Sequence, residues 1–352
     1  MISNLGIIIG TRPQILKSCL LINELTKNKK KFLLIHTGQH YDNNLSDIHF
    51  NVLNIKKPDI IIKNKGNTSI EKFSHMMINL ENVLVNNNIN KVIIFGDCDT
   101  TLAGALVAKR LGIFIIHIES GSRSYNKLMP EETNRLLTEK VSNILLCSAE
   151  SHYNNLLNEN VNDVFYVGNL QVDLLNECCK KYNNKEILEK LSLIENEFVI
   201  LTIHRDYNSN EIIYKKLFNE LSRLDIKIIF LIHPKAHKIL NNIVIPNNIH
   251  IHQSIDYLNM SILMRTCKYI ITDSGGIQPE AYFLKKKCIL IRKETGWIDY
   301  IKTNNNILYY FNEPLKEFIQ KFLKIKIKNN VVIKMNSFKN IYNILYDKNF
   351  II

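Results

Sequence analysis

Short apolar runs recur along the chain. Each is followed by a longer stretch in which apolar residues return every three or four positions. In the first half, residues 6–9, 32–37, 91–95, 113–118, 143–147 and 165–167 read as strands. In the second half, residues 198–203, 227–232, 249–252, 269–272, 288–291 and 307–310 do so. These runs are rich in Ile, Val and Phe and carry little interior charge. That composition suits strands buried on both faces, as in parallel sheets. Strand and helix alternate through both halves, which predicts an α/β protein with two doubly wound sheets.

A chain of 352 residues suits two domains better than one core. The junction is expected at residues 169–173. That gives a first domain over residues 1–169 and a second over 170–336. Residues 174–196 read as polar helix and linker. Near the end, Phe338, Ile341, Ile344 and Leu345 have helical spacing. A helix over about 337–352 is expected to rejoin the first domain.

Composition narrows the class of function. Hydrophobic residues make up 46% and charged residues 22%, an ordinary globular balance. No apolar run reaches the roughly 18–20 residues of a membrane span. The start has neither a basic segment nor a cleavage pattern, so a cytoplasmic protein is expected. Seven cysteines are present, mostly in apolar stretches as at Cys147 and Cys288. Only Cys178 and Cys179 are close in sequence, and adjacent cysteines chelate poorly. They read as reduced thiols, and no metal site is expected. The formal charge is +12, but the lysines are scattered in short runs such as 29–31 and 285–287. An anionic small-molecule substrate fits this pattern better than nucleic acid.

The chemistry-bearing residues cluster just past the predicted strands. Gly10-Thr11-Arg12-Pro13 follows the first, with Lys17 about a helical turn later. The turn would place backbone N–H groups and an Arg where open α/β sheets bind ligands. Gly96-Asp97-Cys98-Asp99 follows another strand, and His117-Ile118-Glu119-Ser120 the next. Pro130-Glu131-Glu132-Thr133-Asn134-Arg135 lies beyond it. Carboxylates gathered at strand ends are candidates for acid/base work. In the second half, His204-Arg205 ends one strand and His233-Pro234 another. Either histidine could bind a phosphate or move a proton. Asp273-Ser274-Gly275-Gly276 ends a strand and opens a helix carrying Glu280. Ser274, Gly275 and Gly276 offer backbone donors to a diphosphate, and Glu280 could accept ribose hydroxyls.

Taken together, these residues resemble the non-hydrolysing UDP-N-acetylglucosamine 2-epimerase family. The resemblance runs nearly the whole length. It includes GTRPQILK from Gly10, HTGQHYDNNLS from His36, FGDCDTTLAGALVA from Phe95 and HIESGSRSYNKLMPEETNR from His117. It continues through VGNLQVD from Val167, His204-Arg205 and TDSGGIQPEA from Thr272. It implies two Rossmann-like domains in the manner of a two-domain (GT-B) glycosyltransferase, with the active site in the cleft between them. It implies that Asp97, Glu119, Glu131 and His204 do the acid/base chemistry. Arg12, Lys17, Arg135, His233, Ser274, Gly275, Gly276 and Glu280 would hold the UDP-sugar. A homodimer is expected.

The implied reaction makes chemical sense. A C2 hydrogen beside an acetamido group and an acetal is not acidic. Loss of UDP from C1 together with the C2 proton gives a glycal. Re-addition of UDP with protonation from the other face inverts C2. That route needs acid/base groups and a firm hold on UDP. It needs no NAD, and no cofactor is expected.

Some positions depart from the family pattern. Cys98 and Asp99 follow Asp97, and Ser122 lies within the Gly121–Arg123 turn. Lys293–Trp297 resembles the loop of relatives that act on diacetamido uronic acids, with Gly296 in place of an acid. A 2,3-diacetamido uronic acid or a 6-deoxy 2-acetamido sugar is therefore an alternative substrate. A glycosyltransferase of the same form, a nucleic-acid-binding protein and an inactive sensor are the competing readings. Family members are often activated by substrate at a second site near the loop 39–43 and the segment after the His-Arg pair. Asp42 and Asp206 oppose a second diphosphate there, so no obligatory activation is expected.

Overall fold

The computed structural model describes residues 4–39, 50–181, 185–205, 207–232, 236–253 and 255–351. Contacts divide the chain into two compact units. Unit 1 is Met1–Leu174 with Ile333–Ile352, and unit 2 is Leu175–Val332.

Unit 1 is built on a parallel sheet of β1 (Leu5–Ile9), β2 (Leu33–His36), β3 (Ile60–Ile61), β4 (Lys91–Phe95), β5 (Phe114–Ser120), β6 (Ile144–Cys147) and β7 (Val164–Tyr166). The strand order is β3-β2-β1-β4-β5-β6-β7. The connecting helices are α1 (Arg12–Lys27), α2 (Ser69–Asn86), α3 (Asp99–Arg110), α4 (Pro130–Val141) and α5 (Glu150–Asn158). All five residues of β1 are buried, as a central parallel strand requires. On one face, Ile8, Ile35, Val92 and Ile94 pack with Met76, Leu80 and Leu84 of α2. Thr68 caps α2 by accepting from the Glu71 amide at 3.1 Å.

In α6 (Leu170–Lys181), Leu170, Val172, Leu175 and Cys178 are buried. The expectation of a polar helix from residue 174 is corrected here. The helix starts earlier, and all of Leu170 to Leu175 is buried, with the polar Gln171 and Asp173 among them, so the polar residues of the sequence do not mark an exposed face.

Unit 2 carries α7 (Lys185–Lys190) and a second parallel sheet. Its strands are β8 (Phe198–Thr202), β9 (Lys227–Ile232), β10 (Ile249–Gln253), β11 (Tyr269–Thr272), β12 (Cys288–Ile291) and β13 (Asn306–Tyr309). The order is β10-β9-β8-β11-β12-β13. The helices are α8 (Glu211–Leu221), α9 (His237–Leu240), α10 (Tyr257–Thr266), α11 (Ile277–Phe283), α12 (Ile298–Lys302) and α13 (Leu315–Lys324). Alternate residues feed two cores. Val199, Leu201, Ile228, Phe230 and Ile271 meet α8 and α13 through Tyr214, Phe218, Phe318 and Phe322. Ile200, Ile229, Leu231 and Ile270 meet α10 and α11 through Leu263, Met264, Ile277 and Ala281. The sheet is therefore covered on both faces.

The last described helix, α14 (Ser337–Asp347), packs against α1 within unit 1. Both sheets are doubly wound and Rossmann-like. β3 has no counterpart among the expected strands, because a two-residue edge strand leaves almost no periodic signal. No helix among the described residues is long and apolar enough to cross a membrane.

Candidate functional site

In unit 1 the strand order reverses between β1 and β4. Ligands of open α/β sheets bind outside the carboxyl ends of the strands at such a point. β1 leads into Gly10. A Cβ there would overlap the hydroxyls of Thr37 and Thr100, which bond each other at 2.6 Å. Only glycine permits so close an approach. Gln14 then ties the head of α1 to β4. Its Nε2 donates to the Phe95 carbonyl at 2.8 Å and to Thr101 at 3.1 Å, while its Oε1 accepts from the Gly10 amide at 2.8 Å.

This turn presents Lys17 to Glu119 of β5, and the two form an ion pair. Gly96, past the end of β4, closes on the same pair. A Cβ on it would lie 3.7 Å from Lys17 Nζ and 3.9 Å from Glu119 Oε2. Glu119 has a φ of 69°, in the left-handed region. The pairing of β5 with β6 slips by one residue between Ile118 and Ser120. Glu119 is thus the extra residue of a β-bulge, a device that re-aims a side chain. Holding a non-glycine residue in this region costs on the order of 1 kcal/mol.

Asp97 pairs with Arg135 of α4, and Arg135 pairs in turn with Glu132. Glu132 is buried. It also accepts from the Ser124 amide at 3.0 Å and the Tyr125 amide at 3.1 Å. Asn134 Nδ2 donates to the Asp97 carbonyl at 3.1 Å and to Asp99 Oδ1 at 3.2 Å. Asp99 is therefore held by an amide in the first turn of α3, where a negative charge is favourable. Burial opposes the charge on Lys17, but Glu119 and Asp97 overcome it and raise its pKa. Burial likewise opposes Arg135, and Asp97 and Glu132 raise it. Burial pushes the His117 pKa down, and its Nε2–H braces the turn by donating to the Gly96 carbonyl at 2.7 Å.

The structure thus joins Lys17, Asp97, Glu119 and Arg135 into one cluster. Arg12 and Glu131 stand half-buried in the first turns of α1 and α4. Arg123 of the neighbouring turn is structural. Its buried guanidinium bonds Glu139 at 2.6 Å and Glu159 at 2.8 Å.

In unit 2 the order reverses between β8 and β11. His204 and Arg205 follow β8, and Asp273 follows β11. The Asp273 carboxylate is buried. It accepts from the amides of His204 at 3.1 Å and Arg205 at 2.9 Å, and from Asn208 Nδ2 at 3.1 Å. His204 Nδ1 lies 3.0 Å from it. Burial alone would raise the Asp273 pKa, but His204 and the other donors hold it below the usual carboxylate range.

The expectation of three open backbone donors at 274–276 needs one correction. The Ser274 amide donates to Thr272 Oγ1 at 2.9 Å, because the threonine folds over the turn. The amides of Gly275 and Gly276 follow it in the turn. A Cβ on Gly275 would stand 3.7 Å from Trp297 Nε1 and 3.9 Å from Arg292 Nη1. Arg292 is buried, and its Nε has no partner among the described residues. Burial and Arg205 together lower its pKa. A glycine turn whose Gly275 lies beside a buried guanidinium suits an anionic oxygen. Glu280 is buried in α11 and accepts from the Tyr257 hydroxyl. Burial and Glu280 push the Tyr257 pKa well up. His233 lies outside the described residues.

Asp273, Glu132, Asn134, Arg292 and Tyr257 were not singled out from sequence. Asp273 had a signal, since it begins the motif at a strand end. Glu132 and Asn134 lay within the 130–135 motif, while Arg292 and Tyr257 are recognised only by the neighbours that folding brings to them.

The sequence model of a family described as UDP-N-acetylglucosamine 2-epimerase matches residues 23–345. A UDP-N-acetylglucosamine 2-epimerase of Methanococcus maripaludis is 38% identical, over 97% of this chain and 98% of its own. The UDP-2,3-diacetamido-2,3-dideoxy-D-glucuronate 2-epimerase of Pseudomonas aeruginosa is 31% identical, over 86% of each. Among solved structures, the Methanocaldococcus jannaschii UDP-GlcNAc 2-epimerase in complex with UDP-GlcNAc and UDP superposes with a TM-score of 0.88. It is 34% identical, and the match covers 98% of this chain and 99% of that one.

Proposed function

The chain belongs to the UDP-N-acetylglucosamine 2-epimerase family, and from that premise we propose that it interconverts UDP-N-acetylglucosamine and UDP-N-acetylmannosamine. The observation that carries this reading is the Lys17–Glu119 and Asp97–Arg135 cluster at the switch point of the unit 1 sheet. A bulge with a left-handed glutamate is a costly way to build a strand end, and it is explained by the carboxylate it delivers.

The reaction proceeds by elimination and return. The C1–O bond to UDP breaks and its electron pair leaves with the diphosphate. The C2 proton passes to a carboxylate, leaving a 2-acetamidoglucal. UDP then re-forms the C1–O bond, and a proton reaches C2 from the opposite face. Asp97, Glu119, Glu131 and His204 are the proton carriers. Lys17 and Arg135 hold the carboxylates in place and, with Arg12, favour the anionic substrate. Gly275, Gly276 and Arg292 bind the diphosphate, with Ser274 shaping their turn. Glu280 takes the ribose. His233 is a further candidate ligand of UDP. The protein acts as a cytoplasmic homodimer.

A second reading keeps the chemistry and changes the sugar. The Pseudomonas relative acts on a diacetamido uronic acid by its name, and the 293–297 loop shares features with such enzymes. Incubation of the purified chain with each UDP-2-acetamido sugar, followed by proton NMR, tests both. The expected result is a 2-epimer with no free sugar. Release of free N-acetylmannosamine, or no turnover of any of them, would refute the proposal.

A further inference from the structure

Asp273 collects four donors on one buried carboxylate: the amides of His204 and Arg205, the Asn208 side chain and His204 Nδ1. The imidazole itself is 41% exposed, while Asp273 is fully buried. One carboxylate thus ties down both the backbone of the turn after β8 and the ring that the turn presents. A buried carboxylate on one ring nitrogen decides which nitrogen carries the proton.

We propose that Asp273 is a positioning residue that fixes His204 as the Nδ1–H tautomer and leaves Nε2 as the nitrogen that exchanges a proton with bound ligand. Nδ1 keeps its proton throughout. A proton leaves or joins Nε2 alone, so the ring works as a one-site acid/base. Asn208 serves the same arrangement, since its Nδ2 also donates to the Ile291 carbonyl at 2.9 Å and so anchors Asp273 to β12. The turn, the ring and the strand ends of β8, β11 and β12 are locked by this one carboxylate. The proposal rests on the epimerase reading for the identity of the ligand, but not for the tautomer.

The test begins with the full-length wild-type chain, labelled with ¹⁵N. Long-range ¹H–¹⁵N spectra at about pH 9, above the imidazole range, report the neutral tautomer. The His204 signals are assigned by their loss in His204→Asn. The expected pattern is a protonated Nδ1 and a bare Nε2. An Nε2–H tautomer, or a mixture, would overturn the proposal without any variant of Asp273. The second arm is Asp273→Asn. It should lose the uniform tautomer and lower kcat by roughly 100- to 10,000-fold, the range spanned when a carboxylate no longer orients a working histidine. Loss of the tautomer with an unchanged kcat would show that the pairing has no part in turnover. If the wild type turned over no UDP-sugar, the epimerase reading would fail, and the tautomer would still be decided by the first arm.

Discussion

At the scale of single residues, the account rests on carboxylates held by cations. Glu119 is aimed by its own strained backbone and paired with Lys17, and Asp97 is paired with Arg135. Glu119→Gln and Asp97→Asn should each reduce turnover roughly 100-fold while UDP still binds, because acid/base groups typically contribute that much. Steady-state rates and calorimetry with UDP check this, and near-normal rates in both variants would mean the chemistry lies elsewhere. Tyr257→Phe removes the hydroxyl that Glu280 accepts in a buried setting. It should destabilise unit 2 by about 1–3 kcal/mol, the cost of leaving a buried acceptor short of a donor, read as a lowered denaturant midpoint. Asp97, Glu119, His204 and Glu280 could be picked out in the sequence because each follows or closely trails a strand pattern. Glu132 and Asp273 could not be ranked above their neighbours. What distinguishes them is the set of donors they receive, and Asp273 takes its donors from residues 65–69 positions away.

At the scale of elements, loops rather than helices decide the geometry. The alternation of apolar runs located the long strands to within a residue or two. It missed β3, and it could not show that β5 bulges at Glu119. A bulge is a matter of register with β6, and register is a tertiary property. The turn after β5 depends on Arg123, whose guanidinium satisfies Glu139 and Glu159 while Glu139 also accepts from the Gly121 amide at 2.5 Å. Arg123→Met would leave Glu139 buried without its cation. It should cost about 3–5 kcal/mol of stability, seen in urea unfolding, and a cost below about 1 kcal/mol would show that the network is dispensable. The turn after β8 makes a pH-dependent contribution. Asp273 titrates below the ordinary carboxylate range in the fold. Its stabilisation is therefore complete above an unfolded pKa of about 3.9 and is lost as the pH falls through the depressed folded value. The stability gap between wild type and Asp273→Asn should shrink as the pH falls below about 4. A gap that widened on acidification would reverse the sign assigned to this group.

At the scale of the whole molecule, two doubly wound sheets each carry a candidate site at the point where their strand order reverses. Unit 1 gathers Asp97 and Glu119 with Lys17 and Arg135, and unit 2 gathers His204 and Asp273 and the glycine turn beside Arg292. Control by a second substrate molecule is a question for the intact enzyme. Gln39 Oε1 is engaged by the Thr100 amide at 2.9 Å and the Thr100 hydroxyl at 2.8 Å. Residues 40–43 and Asp206 lie outside the described residues. The acids that the sequence puts at positions 42 and 206 predict rate curves hyperbolic in substrate, without a requirement for added UDP-N-acetylglucosamine. Sigmoidal curves would contradict that expectation.

The central claim is that C2 is inverted through loss and return of UDP, and the most direct test follows the C2 hydrogen. The purified chain is incubated in deuterium oxide with the UDP-2-acetamido sugar it turns over, and both epimers are read by proton NMR. The account predicts that the C2 proton signal disappears from the product as deuterium enters from solvent, with UDP-sugar conserved. Epimerisation with the C2 hydrogen fully retained would contradict it.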